Sequence, residues 1–236
     1  MKRFIVEKDF WDIFPNAKIG IIVCNNVDNH IIDENKYMPL IDEASLEANK
    51  YFNEEEFSNN SVVHIWREAY QKFKTKKGAR SSVEALLKRV YKQTGINPIN
   101  PLVDIYNSIS IKYGMPCGGE DIDKFVGDIR LTKAIGNESF VTYGTDESEP
   151  PYEGEIVYKD EKGAICRCFN WRECVRTMLT EDTVNVFLCI ELIDPSREEE
   201  FMSALEELAN LVATNLNGDC KINVLDIDNS EIVIEK

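Results

Sequence analysis

The chain has 236 residues, of which 43% are hydrophobic and 29% are charged, a composition typical of one compact globular unit with a substantial core. Its formal net charge of −15 argues against unspecific binding to polyanions. It contains no run of about 18 uncharged apolar residues, so we expect no segment that spans a membrane.

The first part of the chain combines an apolar strand with helices. The opening residues, MKRFIVEKDFWDIF, include acids where a signal peptide would be apolar, so the expected location is the cytoplasm. Residues 18–24, KIGIIVC, form a continuous apolar run that predicts a buried strand. A helical apolar stripe begins at Ser61, and a second helix is predicted after Ser81, whose spacing to Glu84 is that of a capping box.

Residues 67–92 are basic although the whole chain is acidic. Nine Lys and Arg residues against two Glu give this segment a local charge of +7. Such a segment can contact a phosphate backbone, and Lys76, Lys77 and Arg80 are the candidate RNA-binding residues. The charge is equally compatible with a solvated helical surface.

A rigid connector and a third helix follow. Pro98 and Pro101 hold the residues before them out of helical geometry. Pro101 suits the first turn of a helix that Gly114 is expected to end. Residues 114–121, GMPCGGED, are rich in turn formers, and their backbone is expected to approach a ligand closely.

The second half is dominated by predicted strands. Residues 129–133 alternate, and 155–158 and 164–169 flank KDEKG as a predicted hairpin. The clearest strand is 183–192, TVNVFLCIEL, in which Asn185, Phe187, Cys189 and Glu191 share one face. A helix at 196–215 and short strands near the C terminus complete the pattern. Helices first and strands later predict an α+β fold with a β-barrel or sandwich-like core flanked by helices.

The seven cysteines are odd in number and irregularly spaced, without a Cys-x-x-Cys pair. The chain has only two histidines, so the sequence does not support a zinc site. We expect reduced thiols that pack as small hydrophobic side chains, and no metal or cofactor.

Three stretches, taken in order, carry a family resemblance. The first is NPLVDIYN at 100–107, followed by GMPCGGED. The second is GEIVY at 154–158 with CRCFNWRE at 166–173, and the third is NVFLCIE at 185–191. Together they resemble the B3/B4 editing domain of the phenylalanyl-tRNA synthetase β subunit, and most closely its free-standing relatives.

The resemblance implies a single domain over residues 1–236. Its best-matching core is 78–216, with 1–60 as an N-terminal extension packed on it. It also implies a deep pocket for the aminoacylated 3′ end of a tRNA, which is the expected partner. Within synthetases this domain hydrolyses tyrosine wrongly attached to the phenylalanine tRNA, with positioned water and hydrogen-bonding groups and without a covalent nucleophile.

Glu191 matches a pocket glutamate of the family and is the candidate catalytic residue. A carboxylate within an apolar strand is costly unless it is paired, hydrogen-bonded or facing a cavity. We expect it to hold the substrate α-amino group or to orient water; a strand-end carboxylate that reaches solvent is the alternative. The candidate substrate-binding residues are Asn100, Asn107, Gly118, Gly119, Asn170 and Arg172. The arginines near Trp171 are alternatively structural ion pairs with Glu173 or Glu120.

Two functions are consistent with these residues. The leading one is aminoacyl-tRNA editing in trans, by hydrolysis of an incorrect amino acid from the tRNA 3′ end. The alternative is a non-catalytic module that binds tRNA, other RNA or an amino acid. Gly118 and Gly119 stand where synthetase members have a histidine, which leaves both the hydrolysis and the amino-acid specificity open.

Overall fold

A computed structural model describes residues 1–235. Its helices are α1 (Lys8–Trp11), α2 (Met38–Glu47), α3 (Ser61–Ala69), α4 (Ser82–Tyr91), α5 (Pro101–Tyr113) and α6 (Glu198–Leu216). Its strands are β1 (Lys2–Val6), β2 (Lys18–Asn25), β3 (Cys117–Asp121), β4 (Ile129–Lys133), β5 (Ile156–Asp160), β6 (Gly163–Arg167), β7 (Arg172–Glu173), β8 (Val186–Leu192), β9 (Asp219–Leu225) and β10 (Glu231–Glu235). The predicted α+β class is confirmed.

The strands form two open sheets. The six-stranded sheet has the order β10-β1-β4-β5-β6-β7, and the four-stranded sheet has the order β3-β8-β2-β9. All neighbouring strands are antiparallel except β1 and β4. Within residues 1–235 neither sheet closes into a barrel, so the barrel alternative is wrong. The first 25 residues supply β1 to one sheet and β2 to the other. The assignment of residues 1–60 as an N-terminal extension packed on the core stays a prediction.

Strand β8 is buried on both faces and divides two apolar clusters. Val186, Leu188 and Ile190 belong to the cluster that α6 covers, and Phe187 and Cys189 belong to the other. The predicted alternation is therefore confirmed within the strand. The strand begins at Val186, so Asn185 lies outside it, and its side-chain amide donates instead to Asp123 at 3.0 Å.

Helix α5 begins and ends where the sequence predicts. The Asn100 side chain caps it by accepting from the Val103 N–H at 3.1 Å, and Gly114 ends it with a left-handed φ of 58°. Helix α4 begins at Ser82 as expected, but the capping box is wrong because the Ser81 hydroxyl has no hydrogen-bond partner among the described residues. Glu84 binds Arg67 of α3 at 2.6 Å instead.

The sequence pattern did not predict β1 and β3, whose partner strands are distant in sequence. β3 lies within the segment predicted as turns, and Gly119 pairs with Leu188 of β8. β1 lies between β4 and β10, with Phe4 opposite both Ile129 and Ile232. Sheet neighbours, and not the local composition, hold both segments in extended form.

A disulfide joins Cys24 of β2 to Cys220 of β9. The two residues lie opposite each other in the strand register although 196 residues separate them in sequence. The prediction of seven reduced thiols is therefore wrong for this pair, while five other cysteines are free and buried. None of the described helices is both long enough and apolar enough to cross a membrane.

Candidate ligand-binding cavity

A cavity of about 370 Å³ lies between the two sheets and helices α4 and α5. Apolar side chains form most of its wall, among them Val103, Phe125, Ile165 and Phe187. The polar groups on the wall include Tyr106, Asn107, Glu120, Tyr158, Asn170, Arg172, Glu173 and Glu191. A largely apolar cavity with a few converging polar groups is typical of a small-ligand site.

Glu191 is buried at the cavity, with 4% of its surface exposed. The Tyr158 hydroxyl donates to Glu191 Oε1 at 2.8 Å, and Asn170 Nδ2 donates to Oε2 at 3.4 Å. Burial raises the pKa of Glu191 to about 8, although the hydrogen bonds from Tyr158 and Asn170 lower it. The carboxyl therefore changes between its protonated and ionised forms at a pH close to neutral.

The loop between β6 and β7 places Asn170. Cys168 and Phe169 have left-handed φ values of 48° and 68°, an uncommon conformation for residues other than glycine. The Phe169 ring is fixed by packing against Phe10 and Trp66. The Asn170 carbonyl accepts from the N–H of Ser82, and its side chain accepts from Tyr70 at 3.0 Å. These contacts turn the Asn170 amide nitrogen towards Glu191.

Arg172 lies exposed at the mouth of the cavity. Its guanidinium stacks on Trp171, 4.9 Å from the ring centroid. The structural ion pairs that the sequence suggested, with Glu173 or Glu120, do not form: Arg167 binds Glu155 and Arg176 binds Asp160 instead. An arginine held on an indole ring at a cavity mouth can bind a phosphate.

Glu120 and Glu173 form a second acidic wall, which the sequence analysis did not predict as part of the site. Both line the cavity, and Glu120 Oε2 has no hydrogen-bond partner among the described residues. Burial raises the pKa of Glu173 to about 7, and burial followed by the charge of Glu173 raises that of Glu120. The missed signal is the alternation of CGGED, which places Gly118 and Glu120 on one strand face.

Six of the seven predicted pocket residues line this cavity. They are Asn107, Gly118, Gly119, Asn170, Arg172 and Glu191. The seventh, Asn100, lies outside it, because its side chain caps α5 and accepts from Asn29 at 3.2 Å. Asp104, on the same helix, accepts from the Ile99 N–H at 2.9 Å.

The basic segment 67–92 reaches the cavity mouth through Lys76. The Lys76 ammonium lies 5.9 Å from the centroid of the Trp171 ring and pairs with Glu149. Lys77 is exposed beside a shallow groove, and the exposed Arg80 lies 3.7 Å from Glu84. The predicted RNA-binding residues are thus at the surface, and Lys76 is the one shown next to the mouth. No group of three or more potential metal ligands occurs among the described residues.

These features define a small-ligand cavity in an α+β domain that carries cationic and aromatic groups at its entrance. Residues 65–214 match the B3/4 domain family, and the chain belongs to that family. The family resemblance found in the sequence is confirmed.

Curated relatives include phenylalanine–tRNA ligase beta subunits. The chain is 34% identical to that of Mycoplasma genitalium over 120 residues, 50% of this chain and 14% of the relative. It is 32% identical to that of Fusobacterium nucleatum over 110 residues, 46% of this chain and 13% of the relative. The chain thus spans only a small part of the length of these relatives. Among solved structures, an N-terminal fragment of the phenylalanyl-tRNA synthetase beta-subunit from Pyrococcus horikoshii matches with a TM-score of 0.49 and 14% identity, over 92% of this chain and 49% of that one.

Proposed function

We propose that the chain binds the aminoacylated 3′ end of a tRNA in this cavity and hydrolyses the ester between the amino acid and the terminal ribose. The main support is the position of Glu191, a buried and hydrogen-bonded carboxyl on the cavity wall. The chain belongs to the B3/4 domain family, and its curated relatives include phenylalanine–tRNA ligase beta subunits. Both findings support an aminoacyl-tRNA as the ligand of this site. A cavity of about 370 Å³ suits one amino acid with its ester group.

Glu191 is the proposed catalytic residue. A general base is most effective when its pKa lies near the working pH, as the raised pKa of Glu191 does. Its ionised form accepts a proton from water while the water oxygen attacks the ester carbonyl carbon. The bond from that carbon to the ribose oxygen then breaks, and the proton passes to the ribose oxygen. Tyr158 and Asn170 hold the carboxyl in one orientation.

The other predicted pocket residues position the substrate in this proposal. Asn107 and the backbone at Gly118 and Gly119 offer hydrogen bonds to the acyl group from the sheet and helix walls. Arg172 binds the terminal phosphate and Trp171 stacks on the terminal base at the mouth. Holding a reactive ester against a polarised water lowers the barrier without a covalent intermediate.

The basic segment is proposed to contact the tRNA backbone. Lys76 of this segment lies next to Trp171 at the cavity mouth. Lys77 and Arg80 of the same segment are exposed cationic side chains. A local positive surface on an acidic chain favours contact at one place and repels the polyanion elsewhere.

The proposal is tested with the purified chain and a panel of aminoacyl-tRNAs that carry labelled amino acids. We expect release of at least one amino acid faster than spontaneous hydrolysis, and a fall of roughly 100-fold in the Glu191→Gln variant. Glu181→Gln, which removes an exposed carboxylate, is the matched control. Binding of the tRNA without release from any member of the panel contradicts hydrolysis and supports the non-catalytic alternative.

A further inference from the structure

Glu120 and Glu173 lie on the wall of the same cavity as Glu191. In the register of β3 and β8, Glu120 is opposite Phe187, four residues before Glu191. This offset corresponds to roughly 13 Å along the strand between Glu120 and Glu191. Glu173 lies between these two positions, beside Gly118, which is opposite Cys189. Glu173 is held against the β3 backbone, since a Cβ atom on Gly118 would lie 3.2 Å from Glu173 Oε1. Three carboxyls therefore share one largely apolar cavity, and Glu120 is the one farther along the strand from Glu191.

The cavity carboxyls have no cationic partner, unlike most of the buried carboxylates elsewhere in the described chain. Of the six buried carboxylates elsewhere among the described residues, four have a cationic partner: Glu84 with Arg67, Glu138 with Lys159, Glu155 with Arg167, and Asp160 with Arg176. The other two, Asp104 and Asp121, accept hydrogen bonds from backbone N–H groups. Over residues 1–235, no salt bridge joins a cationic side chain to Glu120, Glu173 or Glu191. Glu120 is only 6% exposed, and its Oε2 atom has no hydrogen-bond donor from the described protein. An unpaired buried carboxyl is costly, and a bound cation removes that cost.

We propose that Glu120 and Glu173 together bind a primary ammonium, or a similarly compact organic cation, carried at the end of an apolar chain. Three N–H donors of one ammonium can be shared between two carboxylates. Phe187 and Ile165 line the wall that would contact the methylene groups. The inference rests on the proposed function because it takes the ligand to be the acyl group of an aminoacyl-tRNA. It names a cationic, lysine-like amino acid as the acyl group that the cavity favours.

The ionisation of the pair makes this binding depend on pH. Burial keeps at least part of the pair protonated near neutral pH when the cavity is empty, while the Gly119 N–H favours the ionised form of Glu173. The other titratable or charged groups around the pair are Tyr106 on α5, Cys117 on β3, Cys166 on β6, Arg172, Cys174 and Arg176 near β7, and Cys189 and Glu191 on β8. A cation favours the ionised pair, so its binding releases a proton and its affinity rises as pH increases from 6 to 8.

The test compares L-lysine amide with L-norleucine amide by isothermal titration calorimetry on the whole chain. The two probes share the α-amino group and the apolar chain, and only lysine amide has the terminal ammonium. We expect lysine amide to bind at least roughly tenfold more tightly at pH 8, the effect of one charged hydrogen-bonded contact. We also expect this ratio to fall at pH 6. Titrations in two buffers of different ionisation enthalpy should show a proton released on binding of lysine amide.

Glu120→Gln and Glu173→Gln should each bring the affinity ratio of the two amides close to one, whereas Glu181→Gln should leave it unchanged. Circular dichroism verifies that the variants fold. The proton release is measured on the unmodified chain, so that measurement does not depend on the folding of any variant. Equal affinities for the two amides, no measurable binding of lysine amide at millimolar concentration, or a ratio that survives both substitutions overturns the proposal. Failure of tRNA hydrolysis with the preference retained contradicts only the hydrolytic function.

Discussion

The Tyr158 hydroxyl donates to Glu191 Oε1 at 2.8 Å and so joins β5 of the six-stranded sheet to β8 of the four-stranded sheet. Both side chains are buried, with 6% and 4% of their surfaces exposed. The bond lowers the pKa of Glu191 against the larger effect of burial, which raises it. The ionisation of the proposed catalytic group is thus set in part by a residue from the opposite sheet.

Replacing Tyr158 with phenylalanine should raise the pKa of Glu191 above about 8, because the hydrogen bond that favours its ionised form is lost. The proposed base is active when deprotonated, so kcat/KM should rise with pH and reach its plateau at higher pH in the variant. At pH 7 the rate should fall several-fold, and stability should fall by about 1 kcal/mol. The measurement is a pH–rate profile corrected for spontaneous ester hydrolysis. An unchanged midpoint would show that Tyr158 does not control this ionisation.

The raised pKa of Glu191 also predicts how stability varies with pH. Glu191 has a pKa of about 8 in the folded chain against a reference value of 4.5, so between these values the folded state binds more protons than the unfolded state. Stability contributed by the protonated carboxyl is therefore lost as pH rises towards 8. Each unit of pKa difference corresponds to about 1.4 kcal/mol. Glu173, with a pKa of about 7, acts in the same direction.

Glu191→Gln should remove part of this pH dependence. The amide keeps the shape of the side chain but does not titrate, so the variant should gain stability relative to the parent as pH rises from 5 to 8. Urea unfolding at several pH values measures the difference. A parent and variant with parallel stability profiles would contradict a raised pKa at Glu191. Glu181→Gln, at an exposed site, should run parallel to the parent.

Local sequence pattern predicted those parts of the fold that depend on neighbouring residues. The alternation around Phe187, Cys189 and Glu191 identified β8 and placed a carboxylate on its face. Pro101 and Gly114 marked the two ends of α5 because each favours a particular backbone conformation at a helix terminus. The order of the family-like segments then brought six predicted residues to one cavity.

Contacts between segments that are distant in sequence could not be predicted from the local sequence pattern. The acid at Glu120 looked like part of a turn, because the strand that contains it is defined by pairing with β8. The partner of Glu84 was taken to be Ser81, whereas Arg67 from the preceding helix offers a charge-assisted contact. Pairing of Cys24 with Cys220 depends on the β2–β9 register, which nothing in the sequence near either residue indicates.

Charge reversal in the basic segment should weaken binding of tRNA. A variant with Lys76, Lys77 and Arg80 all changed to Glu should bind less tightly, and its log–log dependence of affinity on salt should be shallower by up to about three units if each residue contacts one phosphate. Filter binding at several salt concentrations measures this slope. A control that changes the exposed Lys36, Lys124 and Lys162 to Glu makes the same change in net charge. Equal weakening in both variants would indicate an effect of net charge and not of a specific surface.

Replacing Gly118 or Gly119 with alanine should distinguish an effect on ligand binding from an effect on stability. A Cβ atom at Gly119 would lie 2.8 Å from side-chain atoms of Leu179 and Leu188, on the strand face turned towards the α6-covered cluster. Gly119→Ala should therefore lower the free energy of unfolding by about 1–3 kcal/mol through overpacking. Leu179 and Leu188 are themselves 4% and 0% exposed, so little space is available to accommodate the methyl group.

Gly118→Ala provides the matched comparison on the opposite strand face. Its Cβ atom would meet Glu173 Oε1 at 3.2 Å, and that side chain can turn aside at small cost. Stability should therefore change less than in Gly119→Ala, while the added methyl group occupies cavity space and displaces Glu173, which weakens binding of the aminoacyl group. Thermal unfolding and ligand titration of both variants measure the two effects. Weaker ligand binding in Gly119→Ala than in Gly118→Ala, at temperatures where both are folded, would contradict this assignment. An added methyl group points towards the cavity acid Glu173 at position 118, and towards the α6-covered cluster at position 119.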